Sequence, residues 1–262
     1  MLEVFETTIP QLTGEEKRKV YVYVPDFEGA FPVLYMFDGQ NLFNDEEASY
    51  GKSWGLLKYL EESETPLMVV GVECNHHAET EKGGGRISEY SPFDFADPDW
   101  GKIKGRGRIT MKWFVKELKP YIDDNYPTLP QRDYTFISGS SMGGLMTLYA
   151  LTDYGHIFSR GASLSPSVWT NPSAVLRLIG KSRCLEGAVL YMDYGAQELE
   201  RHAGMQDALF DCAHALLQMG VHLTFRIVPG GEHCEACWEE QIPFFMHILS
   251  YEGFADRHSP RT

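Results

Sequence analysis

The chain has 262 residues, 43% hydrophobic and 13% aromatic, enough apolar surface for one large core and too much for a disordered chain. Lys and Arg number 23 against 37 Asp and Glu; the formal net charge of −14 at pH 7 (His neutral) repels phosphate backbones and excludes nucleic acid as the expected partner. No apolar run approaches the roughly 18 residues of a membrane span, and Met1–Pro10, with Glu3 and Glu6, lacks the layout of a secretory signal, so the expected location is the cytoplasm.

The first predicted element is an antiparallel hairpin, in which residues around Val4–Leu12 pair with Val20–Val24 across Thr13-Gly14-Glu15-Glu16. Further β-rich runs follow at Val33–Phe37, Leu67–Val72, Tyr134–Ser138, Gly161–Leu164, Ala188–Met192 and Leu223–Val228. Most are apolar on both faces, as parallel strands covered by helices on either side must be. Between them lie helical stripes. Thr110–Asn125 places Met111, Phe114, Val115, Leu118, Tyr121 and Ile122 at spacings of three and four, and Met142–Thr152, Leu199–Met219 and Glu235–Ile248 show similar patterns. The alternation predicts an α/β fold, three-layered, with a mostly parallel doubly wound sheet and the hairpin at one end. No repeat or linker divides the chain, so a single domain is expected over residues 1–254, with a C-terminal tail at 255–262. Ligands of such sheets bind at the carboxyl ends of the strands. Cys74–Arg108 follows one of those ends, shows neither period, and reads as a lid or substrate-wall loop. Lys102, Lys104, Arg106 and Arg108 alternate within it and read as a solvated face.

Tyr134–Ser138 runs into Gly139-Ser140-Ser141-Met142-Gly143, and a helical pattern begins directly after. Gly-x-Ser-x-Gly between a strand and a helix is the setting of a nucleophile elbow. The turn forces the central serine into a strained backbone, and glycines two residues either side keep side chains from colliding there. Ser141 is the candidate nucleophile. A serine hydroxyl needs a neighbouring base, and the order serine, acid, histidine points to His233 in Pro229-Gly-Gly-Glu-His233, just past Leu223–Val228. His76 and His77 precede the serine and His156 follows the elbow helix too soon; His202, His214, His222, His247 and His258 fall in helices, at the wrong strand end or in the tail. The acid follows Ala188–Met192, where both Asp193 and Glu198 are candidates that position alone does not separate. An oxyanion hole requires two N–H donors, each contributing about 3–4 kcal/mol. Met142, after the nucleophile, supplies one, and Gln40, in Asp38-Gly39-Gln40-Asn41 after Val33–Phe37, supplies the other.

With these residues in place, the chain resembles the esterases of the esterase D type within the α/β-hydrolases, which include siderophore, feruloyl and acetylxylan esterases, S-formylglutathione hydrolase and the mycolyltransferases. The resemblance covers nearly the whole chain. It rests on Tyr35-Met-Phe-Asp-Gly-Gln-Asn-Leu-Phe43, Arg86-Ile-Ser-Glu-Tyr-Ser-Pro92, Gly139-Ser-Ser-Met-Gly-Gly144, Ser165-Pro-Ser-Val-Trp169 and Gly230-Gly-Glu-His233 with Trp238. It implies an α/β-hydrolase fold, Glu198 as the acid of a Ser-His-Glu triad through the phrase Gly195-Ala-Gln-Glu198, and an oxyanion donor after Asp38-Gly39. Ser140 departs from the S-formylglutathione hydrolase pattern, which has histidine there and usually an aspartate acid. The elbow and the Arg-x-x-Glu-Tyr-x-Pro phrase stand closer to siderophore esterases and general carboxylesterases, although the acidic net charge does not favour an anionic iron complex as substrate.

The expected function is therefore hydrolysis of a small-molecule carboxylic ester through an acyl-enzyme on Ser141, with no metal and no organic cofactor. Phe43, Tyr90 and Trp169 are the expected walls of the acyl or alcohol pocket. Thioester hydrolysis or acyl transfer is the alternative chemistry, and a silent binding module on the same fold is the alternative class. The oligomeric state is open, a homo-oligomer included. Cys234-Glu-Ala-Cys237 beside His233 lacks the second Cys-x-x-Cys of a zinc site, and a thioredoxin-like redox motif belongs in a smaller fold near a different strand, so the pair reads as buried or helix-face cysteines. With Cys74, Cys184 and Cys212 they make five, an odd number that does not form a secreted disulfide framework. Gly51-Lys52-Ser53 lacks the leading strand of a phosphate loop, and His76-His77 beside Glu73 and Glu79 reads as an exposed loop cluster.

Overall fold

The computed structural model describes residues 1–81, 84–199 and 204–251. The expected tail at 255–262 and domain limit at 254, together with His202 and His258, lie outside the described residues. Strand β1 (Leu2–Thr8) returns through one helical turn, α1 (Pro10–Thr13), to β2 (Lys17–Tyr23), and the strands pair antiparallel from Leu2 opposite Tyr23 to Thr8 opposite Lys17. Pro10 favours that turn, since a fixed φ and a missing N–H cost nothing at the start of a helix.

The chain continues through β3 (Val33–Phe37), α2 (Leu56–Ser63), β4 (Met68–Val72), α3 (Arg86–Glu89) and a small hairpin of β5 (Phe95–Asp97) and β6 (Gly101–Ile103). Next come α4 (Gly107–Trp113), α5 (Lys119–Asn125), β7 (Thr135–Ser140), α6 (Met142–Asp153), β8 (Arg160–Leu164) and α7 (Pro172–Lys181). The last elements are β9 (Val189–Gly195), α8 (Met205–Gln218), β10 (His222–Val228), α9 (Glu235–Glu239) and α10 (Ile242–Ser250). Eight strands form one sheet in the order β1-β2-β4-β3-β7-β8-β9-β10. Among the described residues only β2 runs against its neighbours in that sheet; the other pairings are parallel.

The two faces follow from the period of two along each strand. On β3, Val33, Tyr35 and Phe37 enter one core with Met111, Phe114, Met146 and Leu209, while Leu34 and Met36 enter a second with Leu56, Leu60, Phe245 and Leu249. Helix α6 is buried from Met142 to Thr152, which explains why it lacks a polar stripe. The predicted helix over 110–125 is realised as α4 and α5 joined by a π-helical stretch, Phe114–Leu118; Tyr121 leaves the core stripe and meets Phe5 of β1 at 5.0 Å between ring centroids. The predicted helix over 235–248 breaks in two, because Pro243 has no N–H to continue the ladder and instead opens α10.

The aperiodic stretch 74–108 is not structureless: it holds α3 and the β5–β6 hairpin. Half-buried and buried charged side chains order it where apolar period does not. Glu79 accepts from Ile87 N, Ser88 N and Ser88 Oγ at 2.6–3.0 Å, and Glu89 pairs with Arg18 of β2 at 2.6 Å. Among the described residues no helix is long and apolar enough to cross a membrane.

Candidate active site

Ser141 sits between β7 and α6 with φ 58° and ψ −121°, a conformation that L-residues avoid and that a tight strand-to-helix turn imposes. Gly139 is required beside it, since a Cβ there would lie 2.8 Å from the Gly143 carbonyl carbon. Backbone bonds clamp the turn: Ser141 N donates to Leu164 O at 2.9 Å, and Ser167 N donates to Ser141 O at 3.1 Å.

The histidine and the acid arrive on adjacent strands. β9 and β10 run parallel in register up to Val228 opposite Gly195. Beyond that point the two loops touch through glycines: a Cβ on Gly231 would lie 2.8 Å from Gly195 Cα, and Gln197 N donates to Gly231 O at 3.1 Å. This contact brings His233 and Glu198 together. His233 Nδ1 is 2.5 Å from Glu198 Oε2, and His233 Nε2 is 2.9 Å from Ser141 Oγ. Glu198 Oε1 accepts from Ser165 Oγ at 2.7 Å and Gly195 N at 2.8 Å. Burial pushes this carboxyl up, but the His233 hydrogen bond and charge, with Ser165 and Gly195, outweigh burial and hold it below its ordinary value. As an acceptor-only carboxylate, Glu198 places the imidazole proton on Nδ1 and leaves Nε2 to accept from Ser141.

Asp193, the other candidate acid, points elsewhere. Its oxygens take the Tyr191 hydroxyl at 2.8 Å and Ser165 N at 3.3 Å, and burial raises it to about 7. The two carboxyls are five residues apart, but only Glu198 has turned past the strand end toward His233. Ser165, held at φ 44°, links the neighbourhood. Its hydroxyl donates to Glu198 and accepts from Trp238 Nε1 at 3.1 Å, while the Trp238 ring packs edge-on to His233 at 5.1 Å.

A cavity of about 360 Å³ opens over Ser141 and His233, lined also by Gln40, Asn41, Arg86 and Glu235, with the exposed Tyr50 at its rim. Met142 opens α6 and Gln40 lies in the single turn Gly39–Asn41, so both carry first-turn N–H groups that their own helices do not bond. Gln40's side chain is anchored away from the reaction, exchanging bonds with Cys74. A second cavity of about 370 Å³, lined by Ser182, Arg183 and Gly220, lies before β9 and β10, at the opposite sheet edge. Among the described residues no group of three or more His, Cys, Asp or Glu could hold a metal ion.

Residues 12–242 match the family described as "Putative esterase". The chain belongs to that family. The uncharacterized protein YbbA of Bacillus subtilis (strain 168) is 25% identical over 191 residues, 69% of either chain. An IroE-like serine hydrolase from Shewanella oneidensis superposes with a TM-score of 0.71 at 19% identity, over 95% of this chain and 79% of that one. The siderophore hydrolase EstA from Aspergillus nidulans superposes at 0.67 and 18% identity, over 95% of both chains. The fold is that of the α/β-hydrolase esterases, and family membership makes the protein a hydrolase acting on esters.

The three residues expected to wall this esterase's pocket do not line the cavity. Phe43 is buried against Tyr21 in the second core, 6.1 Å between ring centroids. Tyr90 is buried against Phe37, and its hydroxyl accepts from Asp38 N at 3.3 Å. Trp169 packs on Trp100 at 6.2 Å. An aromatic residue beside a catalytic motif is indistinguishable in sequence from one that fills the core beneath it. The lining mixes Asn41, Ser49, Arg86 and Glu235 with Tyr50, Cys234 and Trp238; Asn41 and Arg86 were legible only as members of motifs and Glu235 as part of a helical stripe, and Ser49 carried no signal. Glu235 is buried, is raised above the ordinary range chiefly by burial, and accepts from Asn41 Nδ2 at 3.4 Å.

Proposed function

We propose that the protein is a serine carboxylesterase working through an acyl-enzyme on Ser141. His233 Nε2 takes the Ser141 proton as Oγ attacks the ester carbonyl carbon, and the amides of Met142 and Gln40 receive the developing oxyanion. His233 then protonates the leaving alcohol. Water enters, gives a proton to the same nitrogen, attacks the acyl-serine carbonyl, and the acid leaves as Ser141 recovers its hydrogen. Glu198 holds the ring and balances the imidazolium charge. The observation that carries this reading is the unbroken chain from Ser141 Oγ through His233 to Glu198, at 2.9 and 2.5 Å. Asn41, Ser49, Arg86 and Glu235 share the cavity wall with Tyr50, Cys234 and Trp238, which suits an ester carrying both hydrogen-bonding groups and an apolar part.

The test is release of p-nitrophenol from p-nitrophenyl acetate at neutral pH. Ser141→Ala is expected to lose at least about 10³-fold in kcat. Equal rates for wild type and variant would leave the fold without this chemistry, as would a wild-type rate that stays constant in acid down to about pH 4, well below the range in which an imidazole base works.

A further inference from the structure

Two half-buried thiols flank the proposed base, and neither takes part in the mechanism above. Cys234 is the N-cap of α9 and Cys237 its third residue. In a capping box the N-cap and third-position side chains each reach the other residue's backbone N–H, so both lie on the same side of the helix start. Here both are cysteines, and neither caps the helix. Cys237 N donates to Cys234 O at 3.1 Å, closing a turn whose ends lie within about 7 Å, inside the reach of a disulfide. Burial raises the Cys237 thiol, and the Glu232 N–H it accepts lowers it in part. Of the remaining cysteines, Cys74 and Cys212 are buried and Cys184 lies by the far cavity's Ser182 and Arg183, so this pair is set apart.

The pair is wired to His233 from both sides. Cys234 follows it directly and lines the cavity, while Cys237 Sγ accepts from Glu232 N, the amide preceding it, at 3.2 Å. Trp238, next to Cys237, packs on the imidazole and donates to Ser165, which in turn bonds Glu198. Drawing Cys237 Sγ onto Cys234 removes the acceptor of Glu232 N and shifts both flanks of the base.

We propose that Cys234 and Cys237 are a redox modification site: a low-molecular-weight disulfide closes them into a ring that displaces His233 and slows turnover. The Cys234 thiolate, on the open cavity wall, attacks one sulfur of the disulfide and expels one thiolate. Cys237, after losing its proton, attacks the Cys234 sulfur of the mixed disulfide and expels the second. Two protein thiols are oxidised by two electrons, and one small disulfide is reduced to two thiols. The slowing of turnover, though not the ring, rests on the reading of the site as a serine esterase.

The experiment equilibrates the purified protein with glutathione disulfide or with dithiothreitol, then alkylates it with iodoacetamide for peptide mass spectrometry and assays p-nitrophenyl acetate. Expected in the oxidised sample is a peptide two hydrogens lighter, with Cys234 and Cys237 protected from alkylation. Turnover should fall about tenfold, the scale of a sub-ångström displacement of a reacting group, and dithiothreitol should restore it. Cys237→Ser should keep the reduced wild-type rate and trap glutathione on Cys234 without forming the ring. The ring's effect on Trp238 emission, followed in Ser141→Ala, reports the displacement without catalysis. Both cysteines remaining open to alkylation, or a closed ring with unchanged turnover and emission, overturns the proposal. A reduced protein with no esterase activity instead sinks the reading of the site, while ring and emission still decide the displacement.

Discussion

Arg86 clasps Asp38 side-on, with Nε 2.6 Å from Oδ1 and Nη2 2.7 Å from Oδ2. Asp38 is the residue that turns β3 into the loop carrying Gln40, and it does so at φ 59° and ψ 49°, the left-handed region that aspartate tolerates better than most residues. A two-pronged ion pair suits such a residue, because it fixes orientation as well as position. Tyr90 completes the hold: its hydroxyl receives the Asp38 N–H, and the Arg86 guanidinium lies over its ring at 5.2 Å. The segment that reads in sequence as a lid or substrate-wall loop thus acts as a brace behind the loop carrying Gln40, and Arg86 is its contribution to the cavity wall.

Arg86→Lys keeps the charge but loses the fork, and should lower kcat/KM about tenfold; Arg86→Met loses both, and should cost about 100-fold. Far-ultraviolet circular dichroism should stay unchanged in each. If Arg86→Met retains more than half the wild-type rate on p-nitrophenyl acetate, the brace does not serve the loop carrying Gln40.

Strands were legible where burial is two-sided, because a run such as Val33–Phe37 has no other reading at that length. Helices α2 and α7 went unread for different reasons. α2 shows only Leu56 and Leu60 on its buried face and has no capping side chain. α7 carries a readable start, Asn171 accepting from Ala174 N ahead of Pro172, and its buried Ala174, Val175 and Ile179 keep helical spacing. Ser141 and His233 were legible because local backbone demands and chain order confine them. Position alone did not separate Glu198 from Asp193, and only the resemblance favoured Glu198, since the difference is whether the chain has cleared the strand end and met Gly231, a contact between distant segments. Arg86, Ser165 and Glu235 acquire their roles the same way, from partners 33 to 194 residues away in sequence.

The two carboxyls should part in both activity and stability. Glu198→Gln leaves a donor facing Nδ1 and should lower kcat by about 10²–10⁴, whereas Asp193→Asn should stay within about tenfold of wild type, as it touches no reacting group. Asp193 is raised to about 7 in the folded state by burial. From about pH 4 to 7 the folded chain keeps a proton that the unfolded chain has lost, so this group's contribution to stability falls as pH rises and is constant above. Glu198 has the opposite sign: its folded value is depressed, so it stabilises above the ordinary carboxylate range and loses that contribution as pH falls through the depressed value. Urea midpoints across pH 4–8 should show Asp193→Asn gaining on wild type as pH rises. A constant difference between the two proteins would contradict the assignment.

The same brace rests on a second ion pair deeper in the molecule. Arg18 of β2 and Glu89 of α3 are 3% and 1% exposed and meet at 2.6 Å. Burial pushes the Glu89 carboxyl up and Arg18 pulls it partly back, leaving it raised; its second oxygen, Oε2, is buried with no hydrogen-bond partner among the described residues. Removing Arg18 strands that carboxyl, so Arg18→Met should lose about 3–5 kcal/mol of unfolding free energy in urea. Arg18→Met with Glu89→Leu removes both charges, and should recover most of that loss, since apolar side chains of similar volume replace a buried pair at little cost. Activity should separate the variants further. Arg86 and Glu89 lie one helical turn apart on α3, so loosening Glu89 alone should also lower kcat in the folded fraction, through the Asp38 loop, and the double variant should regain it. If the double variant is no more stable than Arg18→Met, the cost lies in the lost volume of Arg18 and not in the stranded charge.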